Sequence, residues 1–179
     1  MADYALRPFM RHDLPMMAEW LATPAVQEWW GDPIAEQLCR PTNHLDDPLM
    51  DQRIATFDGA DFGYVQGTPW SRWPGGALQF HDQPEDAPAM DVMLGVPAML
   101  GHGYGTAMVR FYAQTLLREG APAVVIDPPP ANLRAVTAYR RAGFRDVAIR
   151  PGEDGDPVLV LRFDPTFIFP QLSHGGPGV

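Results

Sequence analysis

A glycine-rich turn set between an apolar strand and a long helix is the feature that most constrains this chain. Leu100-Gly101-His102-Gly103-Tyr104-Gly105-Thr106 follows a strand candidate, Met90–Val96, that Pro97 ends. It opens a helix with apolar spacing (Ala107, Met108, Phe111, Tyr112, Leu116) that stops at Gly120. Alternating glycines let the backbone take positive φ and approach a ligand closely, and the helix start aims N–H groups and its positive dipole end at that ligand. Such a turn suits a diphosphate. A glycine turn that closes the strand with no ligand is the alternative reading.

The chain around it alternates strands and helices. Tyr4–Pro8 reads as a first strand, and Asp13-Leu14-Pro15 caps a helix to about Leu21. Thr23-Pro24 starts a second short helix that carries Trp29 and Trp30 and ends at Gly31. Residues 32–50 read as a loop or lid, with one helical turn predicted from Pro33 to Arg40. Gln52–Phe57 and Ala60–Gln66 flank Asp58-Gly59, a hairpin turn dipeptide. The Pro-, Gly- and Trp-rich stretch Gly67–Pro88 reads as a long functional loop. Ala123–Asp127 is a continuous apolar run of the buried, parallel-sheet kind. After Pro128-Pro129-Pro130, Asn132 caps a helix through Ala142, and Gly143-Phe144 ends it. Arg145–Ile149 and Val158–Phe163 form a last strand pair. The order β-α-α-β-β-β-α-β-α-β-β predicts an α/β (α+β) domain: a mixed sheet of six to seven strands with helices on both faces. It spans residues 1–165, with a peripheral tail from 166 to 179.

Composition narrows the function. The chain has 179 residues, 46% of them hydrophobic, enough for one core. It has no run of ~18 apolar residues, and Met1-Ala2-Asp3-Tyr4 lacks a signal-peptide order, which predicts a cytoplasmic protein with no membrane partner. Cys39 stands alone and five scattered histidines lack metal-ligand spacing, so no metal is expected. Every cation is arginine, which excludes a phosphate-loop lysine. Residues 1–95 hold fifteen acids to five arginines, and residues 96–179 hold seven acids to eight arginines, for a net charge of −9. The first half suits a cationic partner and the second a polyanion, while nucleic acid lacks the basic footprint it needs.

Gly101-His102-Gly103-Tyr104-Gly105 after the fourth strand, joined to Asn132-Leu133-Arg134-Ala135-Val136-Thr137-Ala138-Tyr139-Arg140-Arg141-Ala142-Gly143-Phe144 after the fifth, resembles the GCN5-related N-acetyltransferase (GNAT) family over residues 4–164. Within it, Glu28-Trp29-Trp30-Gly31, Phe62-Gly63-Tyr64-Val65-Gln66 and Asp127–Ala135 are similar to segments of aminoglycoside 6'-N-acetyltransferases. Acetylases of hydroxylysine in siderophore synthesis are similar there too. The turn departs from the family at Leu100, where Gln or Arg is usual. A dinucleotide-binding unit would place its glycine turn near the chain start.

The resemblance implies acetyl-CoA as co-substrate, with backbone at Gly101, His102, Gly103, Tyr104, Gly105 and Thr106 on the diphosphate. It implies a sheet splayed between the fourth and fifth strands, which makes room for the pantetheine arm along Leu94, Gly95 and Val96, with a backbone N–H near Val96 as oxyanion donor. Asn132 matches a residue that holds the cofactor arm, and Tyr139 matches the tyrosine that protonates the CoA sulfur; a core aromatic is the other reading of Tyr139. Asp127 and Asp91 are acids inside apolar sheet segments, costly unless used or paired. The resemblance favours Asp127 as base and Asp91 as a ligand for the substrate amine, with a cap for the proline turn as the other reading of Asp127. Trp29, Trp30, Tyr64, Gln66, Trp70 and Trp73 fall in the half expected to hold the acceptor, where aromatic walls and acids suit an amino sugar. The expected partner is a small amine, the protein a monomer or homodimer. Protein N-acetylation and a non-catalytic acyl-CoA sensor remain alternatives.

Overall fold

A computed structural model describes residues 3–31, 45–73 and 77–166. The expected helical turn at 33–40, and all but the first residue of the expected tail, lie outside them. The described residues form one seven-stranded sheet in the order β1-β2-β3-β4-β5-β7-β6. Its strands are β1 (Tyr4–Pro8), β2 (Asp51–Phe57), β3 (Ala60–Pro69), β4 (Pro88–Leu94), β5 (Val125–Ile126), β6 (Phe144–Pro151) and β7 (Pro157–Phe163). Four helices accompany it: α1 (Leu14–Leu21), α2 (Pro24–Trp30), α3 (Tyr104–Arg118) and α4 (Leu133–Ala142). The element order is the one expected.

All neighbouring strands pair antiparallel except β4 and β5, which run parallel. That parallel pair meets at the single register Ala89↔Val125. Beyond it the two strands part, and the rest of β4 has no strand neighbour on that side. The apolar run Ala123–Asp127 therefore yields a strand of only two residues, because β4 parts from it after one register pair.

Alternation along the strands assigns the two faces. Met90, Val92 and Leu94 pack with α3 and α4 in a core that includes Phe62, Val109, Tyr112, Val136, Tyr139, Phe144 and Leu161. Met93, Ile54 and Tyr64 pack on the opposite face against Met17, Trp20 and Leu21 of α1 and Val26 of α2. Gly95 is required there, since a Cβ would lie 2.0 Å from Cδ2 of Trp20.

The stretch Gly67–Pro88, read as a long loop, is largely built into the fold. β3 runs on to Pro69, and single 3₁₀ turns follow at Trp70–Arg72 and Leu78–Phe80. Trp70, Ala77, Phe80 and Ala87 form a third core with Ala123, Val125 and Val160 under the β5–β7 end of the sheet. The Trp70 indole donates to Pro84 O at 2.8 Å. Aromatic burial inside the stretch, invisible to a turn-residue reading, holds it down.

Candidate active site

The parting of β4 from β5 opens a cleft of about 540 Å³. One lip is the glycine turn. Gly101 and Gly103 take φ of +79° and +89°, and a Cβ built at either meets nothing within 4 Å, so the space above the turn is open. Ala107 N–H is the donor to Gly103 O at 3.0 Å, which leaves the N–H groups of Tyr104, Gly105 and Thr106 as first-turn donors of α3. No acid sits in that turn. A positive dipole end, three unused donors and an open concavity fit a diphosphate. Arg134 and Arg141 of α4 add cations to the same cleft. These two arginines were not singled out from sequence, because helical arginines ordinarily signal solvent.

The β4 wall also fits an extended ligand. Gly95 N–H bonds to Phe62 O of β3 at 2.9 Å. In an antiparallel ladder the peptide groups of Leu94 and Val92 then turn away from β3, into the cleft. Trp30 reaches over this edge, its indole N–H donating to Val92 O at 3.3 Å. Among the described residues no backbone acceptor meets the Val96 N–H.

The cleft brings together most of the expected residues: Trp29, Trp30, Asp91, Leu94, Gly101, Gly103, Gly105, Thr106, Asp127, Asn132 and Tyr139 all line it. Others lie elsewhere. Tyr104 keeps its N–H in the first turn of α3, but its side chain turns inward, its ring 5.0 Å from that of Phe57 and 6.0 Å from that of Phe62. His102 is exposed, Gly95 is packed under Trp20, and Val96 is half-buried between the two main cores. Tyr64 is 0% exposed and lines no cavity wall, while Gln66 lines a second cavity. Trp70 is core, and Trp73 lines the second cavity.

That second cavity, about 430 Å³, lies on the α1/α2 side of the sheet and is walled by Gln66, Thr68, Trp73, Gln79, Glu153 and Asp154. It shares Met90, Asp91 and Asp127 with the cleft. Asp91 shares its strand parity with Met93, and Asp127 with Val125, so both carboxylates stand on the same face, at the junction of two cavities. Four acids line this junction or the second cavity, and among the described residues no cation lines that cavity.

Each carboxylate is held by a glutamine. Gln66 Nε2 donates to Asp91 Oδ2 at 2.7 Å, at the end of a buried chain in which Gln52 donates to the Tyr64 hydroxyl (2.6 Å) and that hydroxyl to Gln66 Oε1 (2.8 Å). Gln79 Nε2 donates to Asp127 Oδ2 at 2.8 Å. Loss of surrounding water pushes the Asp127 carboxyl up to about 7; Gln79 opposes the rise, and the charges of Asp91 and Glu153 add to it. Tyr139 is 8% exposed and packs on Phe144 at 6.2 Å. Burial, then the fields of Asp91 and Asp127, lift its hydroxyl above the ordinary tyrosine value. Among the described residues no hydrogen-bond partner meets that hydroxyl. Asn132 caps α4, its Oδ1 accepting from Ala135 N–H at 3.1 Å, as expected. Among the described residues there is no His, Cys, Asp and Glu cluster able to hold a metal, and no helix is long and apolar enough to cross a membrane.

A sheet opened between its one parallel pair, with a helix start on one lip and a buried tyrosine and two carboxylates inside, is an arrangement that suits an acyltransferase. The family model described as Acetyltransferase (GNAT) domain matches residues 10–150, and the chain belongs to that family. It is similar to aminoglycoside N(6')-acetyltransferase type 1 of Klebsiella pneumoniae, 30% identical over 168 residues that cover 88% of this chain and 81% of that protein. A kanamycin resistance protein of Rhizobium radiobacter is 32% identical over 74 residues, 41% of this chain and 68% of that one. Among solved structures, AAC(6')-Ib in complex with paromomycin and acetyl-CoA superposes with a TM-score of 0.80 at 27% identity, over 91% of this chain and 94% of that one. The same enzyme with coenzyme A and kanamycin gives 0.78 at 27%, over 89% and 94%.

Proposed function

We propose that this protein transfers an acetyl group from acetyl-CoA to an amine of a small polycation of the aminoglycoside class. The observation that carries this reading is the junction itself: a cleft with an anion-binding lip and a separate acid-walled cavity meet at Asp91 and Asp127. Two ligands of opposite charge can thus approach one point from two sides. The similarity to enzymes that bind paromomycin, ribostamycin and kanamycin supports the same acceptor class.

The residues divide the chemistry by their environments. Bound acetyl-CoA supplies an activated acetyl group. The α3 N-terminus, Arg134 and Arg141 hold its phosphates, and the cleft-facing peptide groups of β4, with the Val96 N–H, orient the arm and polarise the thioester oxygen. An alkylammonium near pKa 10 must lose a proton to attack. Asp127 receives it, and a carboxyl lifted from 3.8 to about 7 is roughly a thousandfold stronger base than an ordinary aspartate. Asp91, kept supplied with a donor by Gln66, holds the ammonium in the second cavity. Tyr139 retains its proton through neutral pH and offers it to the departing thiolate.

Gln79 and Phe80 of the Leu78–Phe80 turn wall the second cavity, whose volume of about 430 Å³ suits a small acceptor. The test is thiol release from acetyl-CoA with kanamycin, ribostamycin, spermidine, hydroxylysine and a peptide amine. Saturable release with an aminoglycoside is expected. Release with only hydroxylysine or peptide replaces the acceptor, and acetyl-CoA binding without release with any acceptor points to a sensor.

A further inference from the structure

Gln79 was not singled out by the sequence, yet it is 5% exposed and its amide is spent on Asp127. A buried primary amide on a loop is costly unless both ends are satisfied, and three contacts fix where this one sits. Phe80, the next residue, is sunk into the third core at 1% exposure. Arg150 of β6 donates Nη1 to Gln79 O at 2.5 Å and pairs with Asp82 through both terminal nitrogens, at 2.8 and 2.7 Å. The Arg150 side chain is 18% exposed, so the pair is partly shielded from water. The turn is thus pinned at Gln79 and just after it, by an apolar anchor and by a bidentate guanidinium.

We propose that Gln79, delivered by the Arg150-pinned turn, is a positioning residue that fixes the plane of the Asp127 carboxylate and keeps it competent as the base. This rests on the acetyltransferase reading for its consequence but not for its geometry. Of the other groups around Asp127, Asp91 from β4 and Glu153 from the β6–β7 turn oppose its ionisation, Asp154 lines the same second cavity, the Tyr139 hydroxyl from α4 is neutral, and a backbone hydrogen bond favours the carboxylate by less than Gln79 does. Arg134 and Arg141 line the cleft on the other side of the junction and are not among the charges that move the Asp127 carboxyl. Gln79 is therefore the side-chain donor that counters two neighbouring anions. Without it the carboxylate is both harder to ionise and free to rotate.

The test uses the full-length protein with ¹³C-labelled aspartate carboxyls, with Asp127→Asn assigning the Asp127 signal. In Gln79→Met, matched in volume, the Asp127 midpoint moves above its wild-type position near 7. Arg150→Gln, which keeps Gln79 but releases its turn, moves it in the same direction by less. In turnover, kcat/KM of Gln79→Met falls about fivefold at pH 6, the fold-change of one net hydrogen bond of ~1 kcal/mol, and recovers toward wild type at pH 9. A packing role would lower the rate equally at both values. A midpoint unchanged or lowered in Gln79→Met overturns the proposal. If the variant does not fold, Arg150→Gln decides alone. If wild type turns over no acceptor, the functional reading fails while the NMR titration still judges Gln79.

Discussion

Replacing Asp127 by Asn should stabilise the protein at neutral and alkaline pH while abolishing turnover. The carboxyl is ordinary in the unfolded chain, near 3.8, and lies near 7 in the fold because burial and the charges of Asp91 and Glu153 disfavour its ionised form. A raised acid is a cost of folding: absent below pH 4, growing as pH rises to 7, constant above. A shift of about three pH units corresponds to ~4 kcal/mol, an upper bound because Asp127 is half-buried and relaxes toward water. Asn keeps shape and can still accept from Gln79 Nε2 through its carbonyl, so about 1–3 kcal/mol of relief is expected above pH 7. Urea unfolding of both proteins at pH 4.5, 6 and 8 measures it. The difference should be smallest at 4.5, about a quarter of its full value, and increase with pH. A variant equally or less stable than wild type at pH 8, with no trend across the series, would falsify the reasoning that this site stores strain for catalysis.

Three further outcomes follow from the geometry. Tyr139→Phe removes a buried hydroxyl without a partner among the described residues, so stability should hold or rise slightly while kcat drops about 10²-fold or more; an equal loss of acetyl-CoA affinity, measured by calorimetry, would instead make it a packing residue. Gly103→Ala forces a Cβ onto a φ of +89° in open space, costing about 1 kcal/mol in the folded state and weakening CoA binding more than it lowers Tm. Gly95→Ala, by contrast, drives a Cβ into Trp20 and should cost ~3 kcal/mol or more, with unfolding midpoint the readout and loss of solubility the visible symptom.

Local signals were legible where they are self-contained. The proline starts of α1 and α2, the Asp58-Gly59 hairpin and the Asn132 cap all act over four or five residues and formed as read, but the Asp13 and Thr23 side chains make no cap bond: Asp13 accepts from Arg7 and the Met10 N–H, and Thr23 donates to Trp20 O. The Gly101–Gly105 turn and Tyr139 were found because a spacing pattern ties them together. What escaped depends on pairing across the chain. Gln79 and Arg150 lie 71 residues apart, and neither carries a local pattern that marks it. Tyr64 stood out as an aromatic beside the acceptor half, yet its hydroxyl is consumed between Gln52 and Gln66 inside the sheet, which no composition argument could show. The splay of β4 from β5 was implied by the family resemblance, whereas the residues of β5 by themselves show only an apolar run.

Asp127 is proposed as the group that takes the acceptor's proton, and the pH dependence of kcat/KM for kanamycin tests that most directly. Wild type should show an acid limb near pH 7, and Asp127→Asn should lose that limb and retain only a slow rate that follows ionisation of the amine itself. A wild-type profile without a limb between pH 6 and 8, or one that survives intact in Asp127→Asn, contradicts the assignment and moves the base to another group.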